Sequence, residues 1–247
     1  MTTITKVDED YLAMLKKDID TCKVCHGTNM SCKCYREYFF EMAKINAKIP
    51  MNYRRFTLDS LDTSSIQTAI KKISKYVEKI DFYRKTGKGL YLYGKQGTGK
   101  SVVGCIVLME AAKHGYSAYF TDIREYLDRM FGSKFQRDAE DGTQNDLLRS
   151  SEFLLIDNLG QDPLDSKGLK KSWIDDLLRY RTDNLLPTII VTNKNEQDLT
   201  ANSLRMSSIL KEHFLSPIEF PGTDYRMLIR QSNGKVSSSK GGGKVRK

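Results

Sequence analysis

Residues 91 to 101 read Tyr91-Leu92-Tyr93-Gly94-Lys95-Gln96-Gly97-Thr98-Gly99-Lys100-Ser101, a short apolar run followed by a glycine-rich loop. The pattern G-x-x-x-x-G-K-S between a strand and a helix predicts a phosphate-binding loop. Its glycines let the backbone turn tightly around an anion, and the loop N–H groups and the positive end of the next helix surround the phosphates. Lys100 is expected to reach the β- and γ-phosphates, and the Ser101 hydroxyl is expected to bind Mg²⁺.

The segments on both sides of this loop fit a strand and a helix. Residues 89 to 93 alternate and are rich in aromatic side chains, as in a β-strand, whereas residues 102 to 109 are almost entirely apolar. Such a run is typical of a helix that is buried on nearly every side. A glycine-rich turn that binds no phosphate would need neither the preceding strand nor the following helix. The presence of both therefore favours a nucleoside triphosphate as the ligand.

The length and composition of the chain limit the class of protein. At 247 residues the chain is long enough for one substantial core and a small additional module. It contains no run of about 18 apolar residues and begins without the hydrophobic segment of a signal peptide, so we expect a soluble cytoplasmic protein that does not bind a membrane. The net charge of +9 suits a polyanionic partner, although charge by itself does not identify that partner.

Four of the five cysteines lie close together near the N-terminus. A Cys-x-x-Cys turn presents two sulfurs from one corner of the backbone, and tetrahedral Zn²⁺ needs four thiolate or imidazole ligands. Cys22, Cys25, Cys32 and Cys34 are therefore predicted to bind one structural zinc ion, because four protein ligands leave no open position for catalysis. His26 is an alternative for the fourth ligand, and a disulfide is disfavoured in a reducing compartment.

Two helices, at residues 8 to 20 and 35 to 47, are predicted to flank the cysteine cluster. The first carries an apolar stripe formed by Tyr11, Leu12, Leu15 and Ile19. This stripe could receive a partner protein or pack on the second helix, and the sequence leaves both interpretations open.

Two further apolar strands are predicted to complete the nucleotide site. Residues 153 to 157 are four apolar residues followed by Asp157, as expected of a buried parallel strand that delivers a carboxylate to Mg²⁺. Residues 187 to 193 form another buried strand that ends in Thr192 and Asn193, where a γ-phosphate or an attacking water could be sensed. The remaining periodic segments predict helices at 65 to 84, 123 to 131, 169 to 185 and 204 to 214, and strands at 117 to 121 and 217 to 220.

The polar segment at residues 132 to 146 is predicted to be an exposed loop or a broken helix. Basic and aromatic side chains alternate at its start: Phe131, Lys134, Phe135 and Arg137. They could bind single-stranded nucleic acid by charge and stacking, or belong to a solvated loop.

Taken together, these motifs resemble the DnaC/DnaI-type helicase loaders of bacteria and phages, and more distantly the IstB-type transposition ATPases, within the AAA+ superfamily. The resemblance runs from about residue 49 to 226. It rests on five motifs in order: Ile49-Pro50-x-x-Tyr53-Arg54, the loop ending at Ser101, residues 154 to 160 (Walker B), residues 187 to 193 (sensor 1) and residues 222 to 226 (sensor 2). It implies an α/β fold, an AAA+ three-layer sandwich with a parallel central sheet, preceded by a small helical zinc-binding domain.

The domain division that follows has four parts. Residues 1 to 46 are the zinc-binding helical domain that binds a partner, residues 47 to 66 a linker kept extended by Pro50, residues 67 to 230 the AAA+ ATPase domain, and residues 231 to 247 a disordered basic tail. The tail could hold a phosphate backbone or only add solubility.

The function implied by the resemblance is ATP-dependent loading of a hexameric replicative DNA helicase onto single-stranded DNA by an ATP-dependent homo-oligomer. The alternative is an IstB-type regulator that binds duplex DNA and recruits a transposase; the cysteine cluster favours the loader. A small-molecule kinase is disfavoured by the sensor-like strand and by the lack of an arginine-rich lid. A scaffold that hardly hydrolyses ATP stays open because of Asn158.

The site residues expected from motif and resemblance fall into two groups. Nucleotide binding is assigned to Tyr53, Gly94, Lys95, Gln96, Gly97, Thr98, Gly99, Lys100, Ser101 and Val102, with Mg²⁺ on Ser101 and Asp157. Catalysis is assigned to Lys100, Asp157, Asn158, Asn193, Lys211 and Arg226.

Two of these positions depart from the family pattern. Asn158 stands where a second acid is usual, and because an amide is a far weaker base than a carboxylate, hydrolysis is expected to be slow or to use another acid such as Asp162. The arginine that contacts a neighbour's γ-phosphate is missing, so Lys211 or Arg205 would have to replace it, although lysine lacks the guanidinium fork.

Overall fold

The computed structural model describes residues 5–61, 65–131, 139–160, 169–201 and 203–222. This described part contains ten α-helices and five β-strands. The helices are α1 (Lys6–Asp20), α2 (Lys33–Asn46), α3 (Gln67–Glu78), α4 (Ile80–Thr86), α5 (Lys100–Lys113), α6 (Ile123–Phe131), α7 (Ala139–Ser150), α8 (Leu169–Asp183), α9 (Glu196–Thr200) and α10 (Leu204–His213). The strands are β1 (Leu90–Gly94), β2 (Ala118–Asp122), β3 (Phe153–Asp157), β4 (Thr188–Thr192) and β5 (Ile218–Phe220).

The strands form one parallel sheet in the order β2-β3-β4-β1-β5. Strand β4 therefore lies between β1, which leads into the glycine-rich loop, and β3, which ends in Asp157. The register pairs Tyr93 with Thr192 and Asp122 with Asp157. Because the carboxyl ends of parallel strands meet at one edge of a sheet, the loop and the polar ends of β2, β3 and β4 lie together. The predicted α/β fold with a parallel central sheet is confirmed.

Helices cover both faces of the sheet. Leu90 and Leu92 of β1 pack with α3 and α5 in one core, whereas Tyr91 between them packs with α6, α8 and α10 in the other. Alternate residues of β3 divide in the same way, with Phe153 and Leu155 on the first side. Burial on both faces explains why the strands were visible in the sequence as apolar runs, and it gives the three-layer arrangement.

A buried arginine links the segments at the amino ends of β3 and β4, opposite the nucleotide site. Arg181 of α8 is fully buried, and its guanidinium donates to the carbonyls of Leu148, Ser151 and Pro187 and to the Thr188 hydroxyl, each at 2.9 Å. These acceptors lie where α7 ends and where β3 and β4 begin. The arginine is therefore a structural link between segments, since a buried guanidinium must satisfy its donors.

Two predicted elements differ from the structure. The helix expected over residues 65 to 84 is divided into α3 and α4 at Lys79, whose φ of −115° and ψ of 28° are not helical. The segment at 132 to 146, predicted to be an exposed loop or a broken helix, is helical from Ala139, where α7 begins and packs on α8, so the loop alternative is wrong for residues 139 to 146. This helix was missed because the segment contains few hydrophobic residues. Leu148, near the end of α7, packs in the second core. Lys134, Phe135 and Arg137 lie outside the described residues.

The segment predicted as an extended linker belongs to the body of the protein. Ala47, Ile49 and Ile66 are buried in the core beside α3 and α5, and the Phe120 N–H donates to the Ala47 carbonyl at 2.7 Å. The chain forms short 3₁₀ turns at Met51–Tyr53 and Leu58–Ser60. The interpretation of residues 47 to 66 as an extended linker, based on the single Pro50, was wrong. Burial in the tertiary structure decides the path of this segment, and one proline cannot predict that burial.

The N-terminal helices pack on each other and on this body. In α1, Leu12, Leu15 and Ile19 are buried, and α2 packs against α1, α5 and β2. The apolar stripe thus packs inside the protein, except for Tyr11, which is 40% exposed. No helix of the described ranges has the length and apolar character needed to cross a membrane.

Candidate nucleotide-binding site

The glycine-rich loop has the backbone conformation that its glycines permit. Gly99 precedes α5 with a φ of 90°, a left-handed conformation that other residues rarely adopt. Gly94 has a φ of 145°, and a Cβ there would lie 2.4 Å from the carbonyl oxygen of Phe220 on β5. The loop therefore depends on glycine both for its turn and for its close approach to the neighbouring strand.

Lys100 is the first residue of α5, and it is buried against the loop. Its Nζ donates to the carbonyl oxygens of Gly94 at 2.8 Å and Lys95 at 2.6 Å, and the Thr98 hydroxyl donates to the Lys95 carbonyl at 2.9 Å. These hydrogen bonds fix the position of the ammonium group at the bottom of the loop. A fixed cation beside a helix N-terminus is the arrangement that binds phosphate.

The loop borders a cavity of about 480 Å³, a volume suited to a nucleotide-sized ligand. Seven of the ten residues expected to bind nucleotide line it: Tyr53, Gln96, Gly97, Gly99, Lys100, Ser101 and Val102. The other three, Gly94, Lys95 and Thr98, instead surround the Lys100 ammonium. Most of the residues that the sequence predicted to bind nucleotide therefore line this one cavity.

Asp157 lies across from the loop, at the end of β3. It is buried, the Ser101 hydroxyl is its hydrogen-bond partner, and the Asn158 N–H donates to its Oδ1 at 2.9 Å. Burial raises the pKa of Asp157, whereas these hydrogen bonds act in the opposite direction. A hydroxyl and a carboxylate oxygen side by side are hard ligands, so the pair fits Mg²⁺.

Asn158 follows with a φ of 61°, a left-handed conformation that asparagine tolerates better than most residues. Its Nδ2 donates to Oδ2 of Asp122, the last residue of β2, at 2.6 Å. The other oxygen of Asp122 accepts the N–H groups of Arg124 at 3.0 Å and Glu125 at 3.3 Å, so it caps α6. Asp122 was missed in the sequence because only the β2–β3 register brings it beside Asn158.

Five more residues of the cavity were also missed, one of them Val191 of β4. Asn52, Arg55 and Phe56 reach it from the supposed linker, and Arg124 reaches it from the first turn of α6. The Arg55 guanidinium lies over the Phe56 ring, 5.0 Å from its centre. The motif at residues 49 to 54 contains Asn52 and directly precedes Arg55 and Phe56, so it was the available signal for these three, whereas the sequence around Arg124 carried none.

The residues at the end of β4 have different surroundings. Asn193 is exposed and lines the cavity. Thr192 also lines it, but its hydroxyl donates to the Leu159 carbonyl at 2.6 Å and accepts the Lys194 N–H at 3.1 Å. Thr192 therefore connects β4 to the loop after β3, and Asn193 is the better placed of the two to contact a ligand.

The remaining catalytic candidates do not join this cavity in the described structure. Lys211 is exposed on α10 and lines a separate, smaller cavity with Tyr91. Arg205 forms an ion pair with Asp176 at 2.8 Å. Arg226 and Asp162 lie outside the described residues, so their expected roles stay predictions.

The four N-terminal cysteines form a second candidate site. Their sulfurs all lie within 4.8 Å of one another, with 3.5 Å between Cys25 and Cys34 and 3.9 Å between Cys22 and Cys32. Tetrahedral ligands about 2.3 Å from Zn²⁺ are about 3.8 Å apart, so the cluster fits this ion. The N–H groups of Cys25 and Val24 lower the pKa of Cys22 to about 6, which favours its thiolate form. Burial and the neighbouring sulfurs raise the pKa of Cys34, so this thiol would lose its proton only when a metal binds. His26 is not part of the cluster.

Comparison with known proteins places this chain in a family. The model of the IstB-like ATP binding protein family matches residues 35–210. The replicative helicase loader DnaI of Bacillus subtilis (strain 168) is 28% identical over 119 residues, which are 47% of this chain and 37% of DnaI. The chain therefore matches little more than a third of the length of that relative.

Solved structures of two other proteins have a similar fold. The crystal structure of DnaI superimposes with a TM-score of 0.58 at 23% identity, over 70% of this chain and 95% of the other. The crystal structure of the DnaC helicase loader superimposes with a TM-score of 0.58 at 24% identity, over 70% of this chain and 100% of the other. The resemblance to DnaC/DnaI-type loaders and the AAA+ fold are thereby confirmed. Since the family model covers more than half of its length, the chain belongs to the IstB-like ATP-binding protein family.

Proposed function

We propose that this protein is an ATPase that loads a hexameric replicative DNA helicase onto single-stranded DNA. The observation that carries the proposal is the cavity in which Lys100, the Ser101–Asp157 pair and Asn193 converge. The likeness to DnaI, named a replicative helicase loader, supplies the class of partner.

Each residue of the cavity has a distinct part in ATP binding. Lys100 and the N-terminus of α5 hold the phosphates, and Tyr53 and Arg55 face the same cavity from the segment before α3. Ser101 and Asp157 hold Mg²⁺, which when bound neutralises phosphate charge. Asn158 contributes an amide where a carboxylate is usual, so we propose slow hydrolysis.

The N-terminal module supplies the surface proposed to bind the helicase. The helices α1 and α2 expose large apolar side chains: Val7, Tyr11, Met14 and Phe39. The cysteine cluster with one bound Zn²⁺ would hold the ends of both helices together, because Cys22 and Cys25 follow α1 and Cys34 lies in α2. We propose that this module binds the helicase and the ATPase body binds DNA as an ATP-dependent homo-oligomer.

One experiment tests the two halves of this proposal with full-length variants. Tyr11→Glu combined with Met14→Glu should abolish co-elution with the host's hexameric helicase in the presence of ATP, yet leave binding of ATP and single-stranded DNA intact. Phe82→Glu is the matched control, since Phe82 is 57% exposed on α4. Lys100→Ala should weaken ATP binding at least about 30-fold, measured by calorimetry, because it removes the cation that pairs with the phosphates.

A second candidate is the transposition-type regulator that binds duplex DNA and recruits a transposase. The match to the IstB-like family model favours it. The same experiment separates the two candidates. Binding of the intact protein to duplex DNA alone, with no helicase bound, would support the regulator; unchanged ATP affinity in Lys100→Ala would refute the nucleotide site itself.

A further inference from the structure

The candidate nucleotide cavity crosses the carboxyl edge of the sheet, and its two ends differ in character. Phe56 and Val102 line the first end and pack against the core that contains α3 and α5. Asn158 and Arg124 line the second end, and Ile123, next to Arg124, is buried in the core that contains α6 and α8. Because aromatic and apolar side chains suit a planar base, the first end fits the base of a nucleotide and the second end lies on the side of its phosphates.

The N-terminus of α5 lies between these two ends and gives the direction of the phosphate chain. Lys100 and Ser101 begin this helix, and the Ser101 hydroxyl is hydrogen-bonded to the carboxyl group of Asp157. Val102 of the first end follows Ser101, and Asn158 of the second end follows Asp157. Phosphates bound at this helix terminus therefore run from the first end toward the second, so the terminal γ-phosphate of a triphosphate lies nearest the second end.

Arg124 is the cation at the second end. Its N–H donates to Oδ1 of Asp122 at 3.0 Å, while Oδ2 of the same carboxylate accepts a hydrogen bond from Asn158 Nδ2 at 2.6 Å, so the backbone of Arg124 is fixed beside Asn158. The side chain of Arg124 is exposed, and within the part of the chain that the structure describes it forms no ion pair. The amide of Asn158 does not neutralise it, because an amide carries no charge.

The charges of the cavity differ in position along it. Among the described residues that line the cavity, Arg55, Lys100 and Arg124 are cations, and Asp157 alone is an anion. Lys100 lies at the centre, where its ammonium group donates to loop carbonyls, and Arg55 lies at the first end, over the ring of Phe56. Arg124 is therefore the cation at the end where ATP has a phosphate that ADP lacks.

We infer that the Arg124 guanidinium binds the γ-phosphate and so makes the cavity select nucleoside triphosphates over diphosphates. The inference rests on the proposed nucleotide-binding function and adds the residue that distinguishes ATP from ADP. A guanidinium group can donate two parallel hydrogen bonds to two oxygens of one phosphate, and such charge-assisted bonds are stronger than those between neutral groups. The contact is lost when the γ-phosphate is absent.

The test measures how tightly full-length proteins bind the β,γ-methylene analogue of ATP and ADP, each with Mg²⁺, by calorimetry. In Arg124→Ala the affinity for the analogue should fall at least about tenfold, whereas the affinity for ADP should change no more than about threefold, because only the analogue has a γ-phosphate. The substitution is compatible with the fold, since alanine favours a helix and the Asp122 cap uses the backbone N–H of residue 124.

Arg55→Ala is the matched control, because it removes the same charge from the other end of the same cavity. It should change the affinities for the analogue and for ADP by similar factors, so the ratio of the two affinities should stay within about threefold of the wild-type ratio. A general effect of lost positive charge would appear in both variants, whereas a contact with the γ-phosphate would appear in Arg124→Ala alone.

An equal loss of both affinities in Arg124→Ala, or no loss of either, would overturn the inference. A selective loss of analogue binding in Arg55→Ala would also overturn it, since position in the cavity would then not matter. A wild type that binds neither nucleotide would instead refute the proposed function, so the two failures are distinguishable. Should Arg124→Ala fold poorly by circular dichroism, Arg124→Gln, which keeps a long polar side chain without the charge, decides by the same ratio.

Discussion

At the scale of single residues, charge burial decides how the nucleotide site behaves. Lys100 has carbonyl oxygens around its ammonium, whereas Asp157 is buried with a charge that its neighbours only partly stabilise. A raised pKa means that the folded protein, with no cation bound, disfavours the ionised form of the carboxyl group. At neutral pH the group is nevertheless ionised. The proposed binding of Mg²⁺ by Asp157 therefore opposes the stability of the ligand-free protein.

Asp157→Asn is expected to stabilise the ligand-free protein by about 1 kcal/mol near neutral pH, because it removes a buried charge. For an acid with a raised pKa, the destabilising effect is present above that pKa and disappears as the pH falls toward the ordinary value of 3.8. The stability difference between variant and wild type should therefore shrink on acidification.

Thermal unfolding across that pH range measures this effect. Asp59→Asn serves as a control for charge removal on an exposed turn. A variant that is less stable than the wild type at neutral pH would contradict the expectation. Calorimetry on the same variant should show that ATP affinity depends less on Mg²⁺ than in the wild type, because one of the two proposed ligands is lost.

At the scale of elements, the N-terminal module is joined to the nucleotide site without a flexible connection. Arg54 donates to the Ile49 carbonyl at 2.7 Å and forms an ion pair with the buried Asp8 of α1 at 2.5 Å. Its neighbours Tyr53 and Arg55 line the cavity. Burial raises the pKa of Asp8, but its interactions with Arg54 and Thr5 together outweigh burial and lower that pKa. Helix α1 is thus held by residues adjacent to the proposed nucleotide.

Removal of zinc is expected to loosen only part of this module. One Zn²⁺ per chain should be found by metal analysis of protein purified without chelators, bound by the four clustered cysteines. After chelation, α1 and the cysteine loop should exchange amide hydrogens faster, whereas the end of α2 that packs on α5 and β2 should stay protected.

Protein with no zinc, or with uniform loss of protection throughout α2 and the sheet, would refute this expectation. Cys105 provides an internal control. It is fully buried in α5, so its thiol should stay unreactive while the other four become accessible to a thiol reagent.

At the scale of the whole molecule, net charge is the feature that concerns the proposed binding of DNA. The chain carries 40 basic and 31 acidic residues, and residues 231 to 247 contribute five cations and no acid: Lys235, Lys240, Lys244, Arg246 and Lys247. Cations that neutralise phosphates release counterions from the DNA, so affinity for single-stranded DNA should fall steeply with salt.

Deletion of residues 231 to 247 is expected to reduce the salt dependence of single-stranded DNA binding, by about 0.7 in logarithmic slope for each phosphate that the tail neutralises. ATP affinity should stay unchanged, because the cavity is built from residues before 194. Fluorescence anisotropy over a salt series measures the slope. An unaltered slope would show that the tail contributes only solubility. A variant whose tail has the same length, with serine in place of each lysine, controls for the length of the tail.

The amino-acid sequence by itself determined the features that depend on local patterns. The loop ending in Lys100 and Ser101, the apolar strands and the cysteine spacing all appear within short stretches, because glycine turns, periodicity and ligand spacing act between near neighbours. The order of these motifs also predicted the parallel sheet and the edge at which Asp157 meets the loop.

Only the tertiary structure decided which distant residues meet. Asp122 lies beside Asn158 because β2 pairs with β3 in one register, and Arg124 reaches the cavity from an element whose sequence carries no nucleotide motif. Burial of Ala47 and Ile49 likewise turned a supposed linker into part of the core. Such arrangements follow from packing among many segments, and packing energies depend on the whole assembled core, which no short stretch of sequence contains.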